Sequence, residues 1–280
     1  MIATAIPREM LLHVVKTLPA APRILAELGH MLLDVNADLQ AVANLLRCDT
    51  SLTTRIIRIS NSVFYNPGQP HGSIEEALAR IGFGEVYRVA GLAATVQFID
   101  QDFPLYGITG LQMRENSVLT ALVMEAAASQ TGSDPRLAYT VGLLRSVGKV
   151  ALSRLTRSAV YAGGHPSVVS GGLAEMETGL IGLTNCEAAA VILTEWRFPR
   201  TMIEAIKDHY APDTRVSTLA TVLNLAAGAA ERGGHGLTGE TAYWLTTPEI
   251  FAAAGIEPEQ MEDILRQALE IFGQIRPTLG

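Results

Sequence analysis

The stretch Asp134–Gly148, DPRLAYTVGLLRSVG, decides how this chain is to be read. Asp134 stands where a helix cap belongs, and Pro135 fits the first turn, where its missing N–H costs nothing. Apolar residues then recur with a helical period, and the segment is expected to stop at Gly148, just before Lys149. An apolar pair, Leu143 and Leu144, leads into Arg145 and Ser146. That places a cation and a hydroxyl at the end of an otherwise buried helix.

The same period runs outward in both directions. APRILAELGHMLLD (21–34) puts Ile24, Leu25, Leu28, Met31 and Leu32 on one face, and DLQAVANLLRCD (38–49) does so with Leu39, Val42 and Leu46. SIEEALARIG (73–82) opens with Ser73 and Glu76 at capping-box spacing, turns Ile74, Ala77, Leu78 and Ile81 inward and stops at Gly82. FPRTMIEAIKDHY (198–210) has Pro199 at its start, and EPEQMEDILRQALEIFG (257–273) closes the chain with Met261, Ile264, Leu265 and Leu269 inward. Pro and Gly punctuate the pattern at 65–73, 104–110, 163–172 and 232–241. Convincing alternation of period two is missing, so the expected product is an all-α protein of about a dozen helices.

Bulk properties bound the function. The 280 residues are 48% hydrophobic and 18% charged, a globular composition long enough to bury a substantial core. Net charge is −7, and it is acidic on both sides of Gly110: 8 Lys and Arg against 10 Asp and Glu before it, 13 against 18 after it. A broad electrostatic footprint for DNA or RNA is therefore absent. The two cysteines, Cys48 and Cys186, lack a CxxC partner or a neighbouring His cluster, which argues against zinc and for two free buried thiols in a reducing cytosol. The N-terminus lacks the features of a secretory signal, and VSTLATVLNLAAGAA (216–230), the most apolar stretch, is too short to span a bilayer. The expected location is cytoplasmic.

Motif chemistry is sparse. There is no phosphate-binding GxxxxGK[ST] loop, no GxSxG elbow and no HExxH, and no two of the six histidines lie within five residues of each other. Glu75–Glu76 sits in a first helical turn, where carboxylates favour the helix dipole. Segment 38–65, LQAVANLLRCDTSLTTRIIRISNSVFY with its leading Asp38, has the outline of a helix-turn-helix bearing Arg55 and Arg58. Its apolar positions Leu52, Ile56 and Ile59 must also be buried, and the two arginines read more simply as a solvated face. His209 lies on the stripe Met202, Ile203, Ile206 and reads as a satisfied core or boundary histidine, with Trp196 and Phe198 as an aromatic hinge.

Three ordered stretches together resemble the HD-related output domain (HDOD) family. The first comprises LPAAPRILAEL, the 38–65 segment and SIEEALARIGFGEVYRVAG, with Pro19, Pro22, Asp49, Arg55, Asn61, Ser62, Phe64 and Tyr65 fitting the family's N-terminal lobe. The second, RENSVLTALVM (114–124) with AYTVGLLRSVGKVAL (138–152), matches the HD-like lobe. The third, NCEAAAVILTEWRFPRTMIEAIKDHY (185–210), carries a Trp-x-x-Pro segment and a closing pair at His209–Tyr210. The resemblance implies an HDOD domain over 12–212, divided into an N-terminal helical lobe (12–104) and an HD-like lobe (111–212), with a helical extension (213–280) packed on the latter.

The resemblance also implies a non-catalytic bacterial signalling module without cofactor or metal. It would work through contacts with other signalling proteins of two-component, chemotaxis or cyclic-di-nucleotide pathways, not with membrane, and nucleic acid is disfavoured. Its input would arrive by contact or as a ligand. Hydrolytic HD proteins hold a divalent ion with a His, a His-Asp pair and a later Asp. Here the corresponding positions are Asn116, Arg145–Ser146 and a residue near Ala227, and a position often His is Asn185. An amide, a guanidinium, a hydroxyl and a methyl do not suit such an ion. At about 4 Å and an effective dielectric of about 20, Arg145 would repel each unit of its charge by roughly 4 kcal/mol.

No catalytic residue and no metal ligand are therefore assigned. Asn116, Arg145, Ser146, Asn185 and His209 line the candidate ligand or partner groove. Arg145 could hold a small anion or nucleotide there, or simply cap its helix C-terminus, where a cation is favourable. Two alternatives remain open at this point: a metal-dependent HD-type phosphohydrolase, and a DNA-binding regulator acting through 38–65.

Overall fold

The structure is a computed structural model, and it describes residues 8–32, 38–66, 68–163 and 172–280. Fourteen α-helices occur among the described residues and no strand does; the expectation of an all-α fold is met. The chain divides into two compact units.

One unit comprises Pro19–Asp100 and Ile271–Gly280. It holds α2 (Ala21–Met31), α3 (Leu39–Arg47), α4 (Thr50–Ser60) and α5 (Ile74–Phe98), and α5 packs against the other three. Side-chain caps start three of these helices, the one at Ser73 as the sequence implies. Asp38 accepts from the Gln40 amide, Asp49 from that of Leu52, and Ser73 from that of Glu76. The Ser73 capping box is incomplete, because the Glu76 carboxylate reaches the Gly72 amide instead. Gly82, with φ +75°, breaks α5 where the sequence expects a stop, and a second helical stretch follows directly. Ile24, Leu25 and Leu28, then Val42 and Leu46, then Leu52, Ile56 and Ile59 are buried as expected, while Leu39, Met31 and Leu32 are half-buried.

The other unit comprises the residues up to Leu18 together with Gln101–Glu270. Its helices are α1 (Arg8–Thr17), α6 (Gly110–Thr131), α7 (Pro135–Leu144), α8 (Val147–Gly163), α9 (Leu173–Ile181), α10 (Asn185–Glu195), α11 (Arg200–Asp208), α12 (Thr218–Ala230), α13 (Pro248–Ala254) and most of α14 (Pro258–Ile275). Packing runs α6 on α7 and α12, α8 on α10 and α1, and α11 on α10 and α12. Against the expected 12–104 and 111–212 lobes, α1 groups with the larger unit and residues 271–280 with the smaller.

Three local readings need correction. α7 ends at Leu144, and Gly148 lies inside α8 instead of stopping a helix. Its role is close approach: a Cβ there would lie 1.8 Å from the Asn185 carbonyl oxygen, so α10 could not come this near. Cys48 is exposed, not buried, because it follows the last residue of α3; Cys186 is buried. Leu269 is half-buried, the inward place on α14 being taken by Ala268. The expected break at 163–172 lies almost wholly outside the described residues. No single helix among the described residues is long and apolar enough to cross a membrane; the bent pair α9–α10 would pass on composition, but both helices bury side chains in this unit's core.

Candidate functional site

The larger unit folds around charge. Arg145, in the turn between α7 and α8, and Lys149, in the first turn of α8, are both buried, and the side chain of Glu240 between them is wholly so. Arg145 grips Glu240 with both terminal nitrogens, Nη1 to Oε1 at 3.1 Å and Nη2 to Oε2 at 2.9 Å. This fork geometry is the strong form of the arginine–carboxylate pair. Lys149 Nζ donates to Glu240 Oε1 and to the Tyr210 hydroxyl at 2.8 Å. That hydroxyl in turn donates to Glu240 Oε1 at 2.6 Å. Arg145 also donates to the side-chain oxygen of Asn116 on α6, whose amide nitrogen reaches the His235 carbonyl at 2.7 Å.

A second carboxylate is anchored nearby. Glu177 on α9 accepts from the Tyr106 hydroxyl at 2.8 Å, and from the backbone and side-chain nitrogens of Asn185 at 2.7 and 3.0 Å. Lys149 Nζ lies 5.7 Å from the Tyr106 ring centre and 5.5 Å from that of Tyr210, so it bridges the two clusters through aromatic faces. Two cations and two carboxylates thus share one core, which limits the cost of burying any of them.

The electrostatics follow from burial and pairing. Burial alone would raise the Glu240 carboxyl, but Arg145 and Lys149 overcome it and hold the group well below the ordinary carboxylate range. Burial would weaken the Arg145 proton, and Glu240 more than restores it. Burial, then Glu240, pushes the Tyr210 hydroxyl up; burial, then Glu177, does the same to Tyr106. The Cys186 thiol is pushed up to about 12, first by burial, so it is an inert core thiol.

His209 caps the end of α11 and is fully buried. Its Nδ1 faces the Ile206 carbonyl at 2.7 Å, while Nε2 has no hydrogen-bond partner among the described residues. Burial, then the charge of Arg145, pushes its pKa down to about 3, so the ring is neutral at ordinary pH. It is therefore half satisfied as a core histidine. Ser146 is also buried, with its hydroxyl unpartnered among the described residues.

The structure thus joins Asn116 to Arg145 directly, and places Asn185 on Glu177. Ser146 and His209 are buried without bonding to those groups. Ala227, on α12, is buried and apolar. Glu240, Tyr210, Lys149, Glu177, Tyr106 and Asn224 carry most of the site, and none of them was singled out by sequence as a site residue. Asn224 on α12 ties it shut: its nitrogen donates to the His209 and Tyr243 carbonyls at 2.8 Å each, and its oxygen accepts from the Leu245 amide at 2.9 Å. One signal was available: two cations in an apolar helical segment demand a carboxylate, and Glu240 is the acid in the Gly-rich break at 232–241.

As a metal centre this donor set does not fit. Both oxygens of Glu240 are held by cations, both oxygens of Glu177 by neutral donors, and among the described residues no three His, Cys, Asp or Glu side chains group as ligands. The Arg145 side chain neither caps the end of α7 nor waits for a free anion; its anion is Glu240.

In the smaller unit the motif residues build structure. Asp49 caps α4 and accepts from Gln97 at 3.0 Å. Asn61 clamps the following loop, donating to the His71 carbonyl at 2.8 Å and accepting from the His71 amide at 3.0 Å. Arg55 is half-buried, Arg58 donates to the Gly280 carbonyl, and Ser62 accepts from the Asn66 amide. Phe64 and Tyr65 meet edge to face, and the neighbouring Val63 is 87% exposed.

An all-helical fold with a buried ion cluster between its helices sets the frame for the comparison with known proteins. The chain belongs to the HDOD domain family, whose model matches residues 18–212. A comparison with curated proteins found no match. Among solved structures it is similar to an HDOD domain protein of unknown function from Geobacter sulfurreducens, with TM-score 0.68, 19% identity and 98% of each chain covered. It is also similar to a candidate phosphohydrolase from Shewanella amazonensis SB2B, with TM-score 0.64, 24% identity, and 97% of this chain and 98% of that one covered. A third is a candidate signal transduction protein from Marinobacter aquaeolei VT8, with TM-score 0.72, 21% identity, and 97% of this chain against 65% of that one. At these identities the likeness is one of fold.

Proposed function

We propose that this HDOD protein is a non-catalytic signalling module of the bacterial cytoplasm that acts through contacts with other proteins. The observation that carries the reading is the closure of Arg145 and Lys149 on Glu240. The positions that correspond to the His-Asp pair of hydrolytic relatives contribute a cation and a hydroxyl, and the nearest carboxylate is already spent on two cations. A divalent ion would have to displace both of them, and without it no bound water acquires a lowered pKa. What supports signalling is family membership together with a site built for stability instead of turnover.

The test is metal content of the purified full chain, with hydrolysis of cyclic di-nucleotides and simple phosphodiesters assayed on the same sample. Neither metal at one per chain nor turnover is expected. A stoichiometric divalent ion with turnover would overturn the reading.

A further inference from the structure

Glu240 sits in its site the way a ligand would. Its carboxylate leaves the backbone of a segment between α12 and α13 and meets donors from two other elements: the Arg145 fork and Lys149 around the start of α8, and Tyr210 after α11. All its hydrogen-bonding partners are donors, as an oxyanion requires, and two are permanent or near-permanent cations. Removing the carboxylate would leave two buried positive charges facing one space, and the Tyr210 hydroxyl, which accepts from Lys149, would lose the acceptor for its own proton. The buried Arg145 Nε and Ser146 hydroxyl already have no hydrogen-bond partner among the described residues. Such a space attracts an anion strongly, because an uncompensated buried charge is costly.

We infer that Arg145, Lys149 and Tyr210 form an oxyanion-binding seat, that Glu240 is its tethered occupant, and that a free carboxylate or phosphoryl group takes the same seat once Glu240 is withdrawn. Free anion and Glu240 exclude each other, since the same donors serve both. The inference rests on the non-catalytic reading of this site and adds its ligand class.

The experiment is chemical rescue of stability. Glu240→Ala removes the carboxylate and opens room for a small one. Formate and acetate are expected to raise the melting temperature of this variant by about 3 °C or more beyond equal concentrations of chloride, because only ligands of the folded state stabilise it by mass action. The unaltered protein should show no such difference, its seat being filled. If Glu240→Ala does not fold, Glu240→Ser, which also removes the carboxylate and opens the same room, goes through the same titration. A folded variant that responds to formate no more than to chloride would overturn the inference. That failure is distinct from failure of the functional reading, which would instead show as bound metal with turnover.

Discussion

Gly148 on α8 and Asn185 at the start of α10 approach so closely that the smallest side chain at 148 would strike the Asn185 carbonyl at 1.8 Å. Backbone, unlike the tip of a flexible side chain, cannot turn aside. Gly148→Ala is therefore expected to destabilise the fold by at least about 1–3 kcal/mol, the usual cost of overpacking. Gly179→Ala is the control: it lies within α9 with nothing within 4 Å of its added methyl, and should stabilise by roughly 0.5–1 kcal/mol. Thermal melts of both variants check this, and equal effects would contradict the packing account.

Arg145→Met leaves Glu240 with Lys149 and Tyr210 alone. Breaking a buried pair from one side costs about 3–5 kcal/mol. Combining it with Glu240→Gln should cost less than the sum of the single changes, with a coupling of at least about 1.5 kcal/mol. A denaturant double-mutant cycle measures it, and additive costs would show that the fork contributes little.

Acid should loosen the protein in two stages. The buried His209 has its pKa pushed down to about 3, whereas an unfolded histidine titrates near 6.5. Between those values the unfolded chain binds a proton that the folded one refuses, so stability rises with pH and falls on acidification. The slope is up to about 1.4 kcal/mol per pH unit. Besides burial, Arg145 and Lys149 favour the neutral form, while the Ile206 carbonyl and Glu240 oppose them. Glu240, with its own pKa depressed, has the same sign but a lower window, opening only below the ordinary carboxylate range near about 4.3. Melting temperatures of His209→Gln should therefore be flatter than those of the parent from roughly pH 6.5 to 5. An unchanged slope would place the titration elsewhere.

Residues 213–280 are expected to be indispensable to the larger unit. A fragment ending at 212 keeps the family-matched region but loses Glu240 and Asn224. It should lack near-ultraviolet circular dichroism and bind hydrophobic dyes, and a cooperative melt would show that the cations find another partner.

Helices were legible because their signals are local. Asp134 and Ser73 each cap the helix that follows them, and period 3.6 located the buried faces. The two misplaced features have non-local causes. Gly148 looked like a stop because nothing beside it in sequence reveals a carbonyl 37 positions further on. Arg145 looked available because Glu240 lies 95 residues away. The degenerate positions were readable one by one; the acid that neutralises them was not, since a charge pair leaves no spacing rule when its members come from distant elements.

That separation also sets an order of events during synthesis. Lys149 leaves the ribosome 91 residues before its carboxylate. At typical elongation rates the interval is roughly 5–18 seconds, far longer than collapse of a helical core takes. Through that time the nascent chain carries two cations that it cannot bury without a counter-charge. The larger unit is thus expected to close late, after most of the chain has been made.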